Sequence, residues 1–335
     1  MPEKGGLSTL VNLVNTCYMN SIIQVLRHTD NLNDFLDSNE EYLNQENATE
    51  LYEWNSLRKL MWDSTKLISP KRWHACIQQS SKMGNFNNNY EQHDVSEYLI
   101  RLLDTFHLCV ARPVKMKISG KIQNNNDVVA SKCYKEFKNL YDKKYSDIIK
   151  LFYGIQVTNI YSHEINKIVS SKVEPFSIIN LTIPITNEPN KPITLYDCLN
   201  EYCKGEILDG DNKWFNDTTK QKENVTISTR FFELPSIIII SLKKYYNLSQ
   251  FIHCPLDSLN LSKYMTYNTQ EVIYDLYAVC DHIGTMDGGH YYSIIKHDNK
   301  WYKFNDTDVM RVYPNNVISS STYCLFYKKK HNNIY

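Results

Sequence analysis

The feature that most constrains this chain is a change of hydrophobic period part-way along it. Through the first ~110 residues apolar side chains recur at helical spacing, as in Met19, Ile22, Ile23 and Leu26, and again in Val95, Tyr98, Leu99, Leu102, Leu103 and Phe106. From residue ~150 onward the pattern becomes one of short strands: Ile178 to Ile183, Ile237 to Leu242, Leu276 to Val279, Tyr291 to Ile295, Trp301 to Phe304 and Tyr323 to Tyr327. Helices first and strands later imply an α+β architecture. Pro235, just ahead of the all-apolar run Ile237 to Ile240, marks a strand buried on both faces and expected at the centre of the sheet. The Asn-rich stretches Gly84 to Tyr90 and Gln123 to Asp127 read as surface loops. Neither a repeat nor a linker interrupts the sequence, so one compact unit is expected to fill residues 1–335.

Charge narrows the partners. Thirty-seven Lys and Arg balance 37 Asp and Glu, which removes the electrostatic footprint of a protein whose main partner is nucleic acid or an anionic membrane. Nine cysteines, an odd number, are scattered without the spacing of a disulfide scaffold, so the chain reads as reduced and intracellular, cytoplasmic or nuclear. The N-terminus, Met1-Pro-Glu-Lys-Gly-Gly, has no apolar core of a signal peptide, and no apolar run is long enough to span a bilayer. Asn-X-Ser/Thr sequons at Asn47, Asn180, Asn216 and Asn224 are expected by chance in so Asn-rich a chain and do not argue for secretion.

Among the cysteines, Cys17 stands out. It sits in Asn15-Thr16-Cys17-Tyr18-Met19-Asn20, where Asn15 or Thr16 can cap the amphipathic helix that follows. A thiol at a helix N-terminus meets partial positive charge and unpaired amides, which favour thiolate and lower its pKa. The competing reading is a small buried apolar residue.

A base and its orienter come from the other end of the chain. Gly288 to Ile295 and Trp301 to Phe304 read as two strands joined by Lys296-His297-Asp298-Asn299. A four-residue loop would pair Ile295 with Lys300 and place His290 opposite Asn305 on one sheet face. An Asn carbonyl accepting from one imidazole nitrogen fixes the tautomer and leaves the other nitrogen to take a thiol proton. A surface histidine followed by an Asn-Asp turn is the alternative from this segment alone.

Taken together, these segments resemble the ubiquitin-specific protease family. Gly6 to Ser21 is similar to its cysteine box. Tyr277-Ala278-Val279, His282-Ile283-Gly284, Gly289-His290-Tyr291 and Trp301 to Asp306 resemble its histidine box, and Gln92-His93-Asp94-Val95-Ser96-Glu97 its glutamine-aspartate motif. Leu208 to Asn212, Leu234-Pro235, Leu242 to Tyr245 and Leu325-Phe326-Tyr327 also match, in order along almost the whole chain.

The resemblance implies a papain-like fold with thumb (roughly residues 5–150), then fingers and palm (151–330), that cleaves after the C-terminal glycine of ubiquitin without a cofactor. It assigns Cys17 as nucleophile, His290 as general base and acid, Asn305 as orienter with Asp306 assisting, and Asn12 as an oxyanion donor beside backbone amides. Asp94 and Glu97 would face the basic tail of ubiquitin, although Asp94 also reads as a helix N-cap with Glu97 at the third helical position. Gly288 and Gly289, with His282 nearby, resemble the mobile loop that closes over the diglycine, and Tyr291 would join them in binding ubiquitin. Expected partners are ubiquitin and ubiquitinated proteins; the oligomeric state is left open.

Two departures from the family pattern stand out. Many members bind a structural zinc in the fingers through two Cys-x-x-Cys pairs, whereas this chain has His163-Glu164-Ile165-Asn166 and Asn216-Asp217-Thr218-Thr219 there, so no metal is expected and strand pairing and packing alone should hold the fingers. Cys198 and Cys203 read as core positions. Val14 replaces a usual glycine, and a β-branched residue there is expected to stiffen the loop before Cys17 or disturb the oxyanion geometry. Two other readings follow: a catalytically impaired ubiquitin-binding scaffold, and a protease for another diglycine-tailed modifier.

Overall fold

The computed structural model describes residues 5–44, 46–63, 66–87, 91–185, 191–244, 250–267, 271–285 and 288–330. The N-terminal Met1 to Lys4, Asn88 to Tyr90 of the expected Asn-rich loop, and Tyr245 lie outside the described residues. The first half is helical: α1 (Cys17–Arg27), α2 (Asp30–Ser38), α3 (Thr49–Asp63), α4 (Lys71–Gln79), α5 (Val95–Val110), α6 (Asn125–Tyr141) and α7 (Asp147–Phe152). The only later α-helix among the described residues is α8 (Leu195–Cys203). Every residue of α1 is buried, so the helix that begins at Cys17 runs through the interior rather than over it. The periodic residues of α5, Tyr98, Leu99, Leu102, Leu103 and Phe106, are fully buried too. Each such large side chain contributes about 1.5–3 kcal/mol of burial free energy.

The strands used below are β1 (Gly154–Ser162), β2 (Lys167–Phe176), β3 (Ile178–Thr182), β4 (Glu206–Leu208), β5 (Val225–Glu233), β6 (Ile237–Lys243), β7 (Ile273–Thr285), β8 (Gly288–His297), β9 (Lys300–Asn305), β10 (Asp308–Val312) and β11 (Thr322–Lys329). The larger sheet runs β10-β9-β8-β7-β11-β6-β3, and the smaller runs β2-β1-β5-β4. Alternate side chains of the larger sheet enter different cores. Ile237, Ile239, Ala278, Tyr291, Phe304 and Phe326 face the helical half, while Ile238, Ile240, Val279, Ile294, Leu325 and Tyr327 pack on the side of α8.

Three expectations are corrected. The apolar strand Ile237–Lys243 is buried on both faces but is not central: it stands next to the edge strand β3, and β7 and β11 hold the middle. Two-sided burial comes from layers above and below a sheet, and strand order is independent of it. The Gln123 to Asp127 stretch is the start of α6, where Asn124 and Asp127 form a reciprocal capping box, and Ser81–Asn87 forms a 3-10 helix. Asparagine serves helix caps as readily as loops. The long polar strands β1, β2 and β5 were not anticipated, because their Thr, Ser, Asn and Lys side chains carry little apolar signal.

Arg27, at the end of α1, is fully buried, and no carboxylate among the described residues is seen to pair with it. It donates to the carbonyls of Gly6 and Met61 and to Gln24, and lies over the rings of Trp62 and Phe304, tying the N-terminal segment and β9 to α1. The nine cysteines are free thiols, Cys198 and Cys203 being buried on α8. Among the described residues no helix is long and apolar enough to cross a membrane.

Candidate active site

The fold packs the start of α1 against β8 and so brings residues from the two ends of the chain together. His290 Nε2 lies 2.6 Å from Asn305 Oδ1 and 3.9 Å from Asp306 Oδ2. The hairpin that holds this pair differs from the expected one. Its loop is only Asp298-Asn299, both at positive φ (46° and 58°), so His297 pairs with Lys300 and Ser293 with Phe304. Asp and Asn tolerate that left-handed conformation, which suits a two-residue hairpin. The register is therefore displaced by two residues from the expected one. Because side chains alternate with period two, a shift of two preserves the face, and His290 and Asn305 meet as diagonal rather than opposite neighbours.

Cys17 is the first residue of α1, with Thr16 at the N-cap. Thr16 makes no side-chain cap bond to the helix. Its hydroxyl accepts from the Leu13 amide at 2.8 Å and donates to Asn12 Oδ1 at 3.2 Å, so it orders the preceding loop instead. The expected lowering of the thiol pKa does not occur. Burial pushes it above its ordinary value; the N–H groups of Tyr291 and Tyr18 and the Gln92 amide pull it down, the charge of Asp306 pushes it further up, and burial prevails.

Asn12 and Asp306 form one network. Asn12 Nδ2 donates to Asp306 Oδ2 at 2.9 Å, while its carbonyl accepts from the Thr16 amide at 3.0 Å. Asn20 Nδ2 donates to Asp306 Oδ1 at 2.8 Å, and the Leu10 amide bonds to the Asp306 carbonyl at 2.9 Å. Asp306 therefore anchors the loop before Cys17 to the strand end that carries Asn305. Within that loop Val14 sits at φ 68°, followed by Asn15 at 53°. That region is open to glycine but costly for a β-branched residue.

On the other side of Cys17, Asp94 is the N-cap of α5: its Oδ1 accepts from the amides of Ser96 at 2.7 Å and Glu97 at 3.0 Å, and its Oδ2 accepts from the Tyr323 hydroxyl. Glu97 lies exposed in the first turn. His282 packs on Tyr291 with ring centroids 4.4 Å apart, and burial lowers its pKa. Gly289 lies so close to this pair that an added Cβ would fall 2.3 Å from His282 Nε2, so a side chain is excluded there. Two residues went unassigned in the sequence reading. Asn20 is three residues after Cys17, and Gln92 opens the glutamine-aspartate motif. Gln92 accepts from the Gly289 amide at 3.0 Å, donates to the Gly289 carbonyl, and holds its Nε2 3.8 Å from Cys17 Sγ. Only the motif context could have drawn attention to either, since their partners are remote in sequence.

Comparison with known proteins agrees with this geometry. The family model for ubiquitin carboxyl-terminal hydrolases matches residues 8–327. The chain belongs to that family. Similar members include ubiquitin carboxyl-terminal hydrolase 2 of Bos taurus, 28% identical over 96% of this chain and 55% of that protein, and of Gallus gallus, 30% identical over 96% and 93%. Usp2 of Drosophila melanogaster is 28% identical, covering 97% of this chain and 35% of its own length, so the chain spans only part of several relatives it matches. The fold is similar to that of the SAGA DUB module Ubp8/Sgf11/Sus1/Sgf73 solved with monoubiquitin, at TM-score 0.76 and 21% identity over 99% of this chain and 71% of that one. The α+β papain-like architecture of the ubiquitin-specific proteases is thereby shared.

The family's structural zinc does not fit this member. No group of three or more His, Cys, Asp or Glu able to hold a metal occurs among the described residues. The polar groups at the fingertip are engaged with one another instead. Glu223, buried in the hairpin Trp214–Asn216 and Gln221–Glu223, accepts from Asn216 Nδ2 at 2.8 Å and Thr219 Oγ1 at 2.7 Å. Glu164 accepts from the Asn224 amide at 2.7 Å and from its side chain at 2.9 Å. The expectation that strand pairing and packing alone hold the fingers is thus incomplete: carboxylate-centred hydrogen bonds knit the hairpin and link the β1–β2 turn to the start of β5.

Proposed function

We propose that the chain is a thiol hydrolase that cleaves the peptide or isopeptide bond after the C-terminal glycine of ubiquitin. The observation that carries this reading is the His290–Asn305 hydrogen bond of 2.6 Å, with His290 on the strand that packs against the helix beginning at Cys17. With Nε2 engaged by Asn305, His290 Nδ1 takes the thiol proton. The thiolate adds to the glycine carbonyl, and collapse of the tetrahedral intermediate expels the lysine amine, which receives that proton from His290. Water, deprotonated by His290, then attacks the thioester; carboxylate leaves and Cys17 regains its proton. Backbone amides at the start of α1 and one N–H of Asn12 stabilise the oxyanion, a single such donor being worth about 3–4 kcal/mol. Asp306 fixes Asn12 relative to Asn305.

In the same reading Asp94 and Glu97 face the basic ubiquitin tail, while His282, Gly288, Gly289 and Tyr291 line the channel for its last residues. The chain forms one catalytic unit with ubiquitin and ubiquitinated proteins as partners, acting in the cytoplasm or nucleus, where its nine thiols stay reduced. The test is covalent labelling by ubiquitin bearing a C-terminal electrophile, read by intact mass. Wild type gains one ubiquitin and Cys17→Ala gains none. A folded wild type that stays unlabelled yet binds ubiquitin would make it a binding scaffold, and labelling only by another diglycine-tailed modifier would change the substrate.

A further inference from the structure

A side-chain amide lies on the backbone of Gly289, beside the Cys17 thiol. Gln92 belongs to the thumb, two residues before the N-cap of α5, and Gly289 belongs to β8, one residue before His290. The Gln92 carboxamide presents one acceptor and one donor, the same pair that a peptide group presents, and it satisfies both the N–H and the C=O of Gly289. Its Nε2 lies 3.8 Å from Cys17 Sγ, so this bridge stands beside the nucleophile, across the line between thumb and palm. Gln92 is held from behind: Asp94, two residues on, is fixed to Ser96, Glu97 and Tyr323. An added Cβ on Gly288 would lie 3.4 Å from Gln92 Oε1, so the amide rests directly on the glycine backbone.

We infer that Gln92 is a surrogate for the substrate's peptide group, closing the cleft until an extended, glycine-ending tail takes over its two bonds to Gly289. The inference rests on the hydrolase reading given above. It makes Gln92 a competitor that the tail must displace, so part of the substrate's binding free energy opens the bridge, and apparent affinity falls by the fraction of molecules in which the cleft is open. Residue 289 itself can carry no side chain, because a Cβ there would meet His282 and the Ile283 carbonyl, so its backbone N–H and C=O stay open to a pairing peptide group.

Two measurements on Gln92→Ala decide this. The first is the rate at which iodoacetamide alkylates Cys17 in the free protein, followed by mass on the peptide containing it; this needs no ubiquitin. The second is steady-state hydrolysis of ubiquitin carrying a C-terminal fluorogenic amide. Losing two ordinary hydrogen bonds should speed alkylation and lower KM by about 5- to 30-fold each, with kcat within about 2-fold. Gln92→Met, of similar length but with neither donor nor acceptor for the Gly289 backbone, should act in the same direction and replaces the alanine variant should that fail to fold by thermal melt. A raised KM with unchanged alkylation would overturn the inference and make Gln92 a substrate contact, and a fall in kcat would overturn it by making Gln92 a transition-state donor. Absence of turnover in all variants would refute the hydrolase reading while alkylation still decides the bridge.

Discussion

The seam between α1 and β8 and the tip of the fingers solve the same problem, holding distant segments in register, with different chemistry. At the seam, Asp306 gathers Asn12, Asn20 and the Leu10 amide, so one carboxylate joins the nucleophile's loop to the orienter's strand. At the tip, Glu223 and Glu164 gather Asn216, Thr219 and Asn224 where relatives are expected to use a metal. The difference lies in what each network serves. In the hydrolase reading the seam positions reacting atoms, where a misplacement of about 1 Å costs roughly 10²-fold in rate, whereas the tip supports a binding surface, where the same error weakens association alone.

The comparison is sharpest at Asn305. Asn305→Ala should leave His290 without its acceptor and lower kcat by about 10²–10⁴-fold, while Asn305→Asp should stay within about 10-fold of wild type. Wild-type kcat in the alanine variant would remove Asn305 from the mechanism. At the tip, Glu223→Ala should instead raise KM for a ubiquitin substrate by about 3- to 10-fold at constant kcat, with faster amide exchange confined to residues 214–223. Chelators should change neither quantity.

Acid offers a second way to separate the regions. The neighbouring Ser162 hydroxyl, with the Thr219 and Asn216 donors, holds the Glu223 carboxyl below its ordinary value of 4.5, and the Asn224 amide does the same for Glu164. A depressed carboxyl contributes stability that is present above the ordinary value and is lost as pH falls through the lower, folded one. Amide protection at the fingertip should therefore hold at pH 5 and above and decay only in stronger acid. Cys17 behaves in the opposite sense: its thiol lies above the ordinary 9.0, so its alkylation should still be rising with pH beyond that value. A half-rise near neutrality would break the contrast by showing a preformed thiolate. The smallest effect is expected at Val14, where glycine would relieve the positive φ and raise stability by about 0.5–1 kcal/mol, read as a higher melting temperature.

How far the sequence disclosed all this follows from the range of the interactions. The placement of Cys17 at a helix start and the meeting of His290 with Asn305 were legible because each sits in a short motif with its own local chemistry, and even a hairpin misjudged by two residues kept His290 and Asn305 on one face. Asp94 was legible as a cap for the same reason. Gln92 and the anchoring role of Asp306 were not, since Gly289, Asn12 and Asn20 become their neighbours only after the two ends of the chain meet. The thiol's raised pKa escaped as well: a helix N-terminus can be read from residue order, whereas burial depends on the whole fold. The fingers' strands were hidden by polar alternation, and their carboxylate ties by the expectation of cysteine pairs.

The position of β11 carries a consequence for how the molecule is made. Residues Thr322–Lys329 follow every other strand among the described residues, yet they lie in the middle of the larger sheet, paired on one side with β7 and on the other with β6. During synthesis the helix bearing Cys17 emerges well before the strand that joins the two halves of the sheet. Until it inserts, β6 and β7 each present an unpaired edge and the two cores lack a shared floor. The nascent chain therefore carries its thiol before the sheet that packs against the thiol's helix is closed.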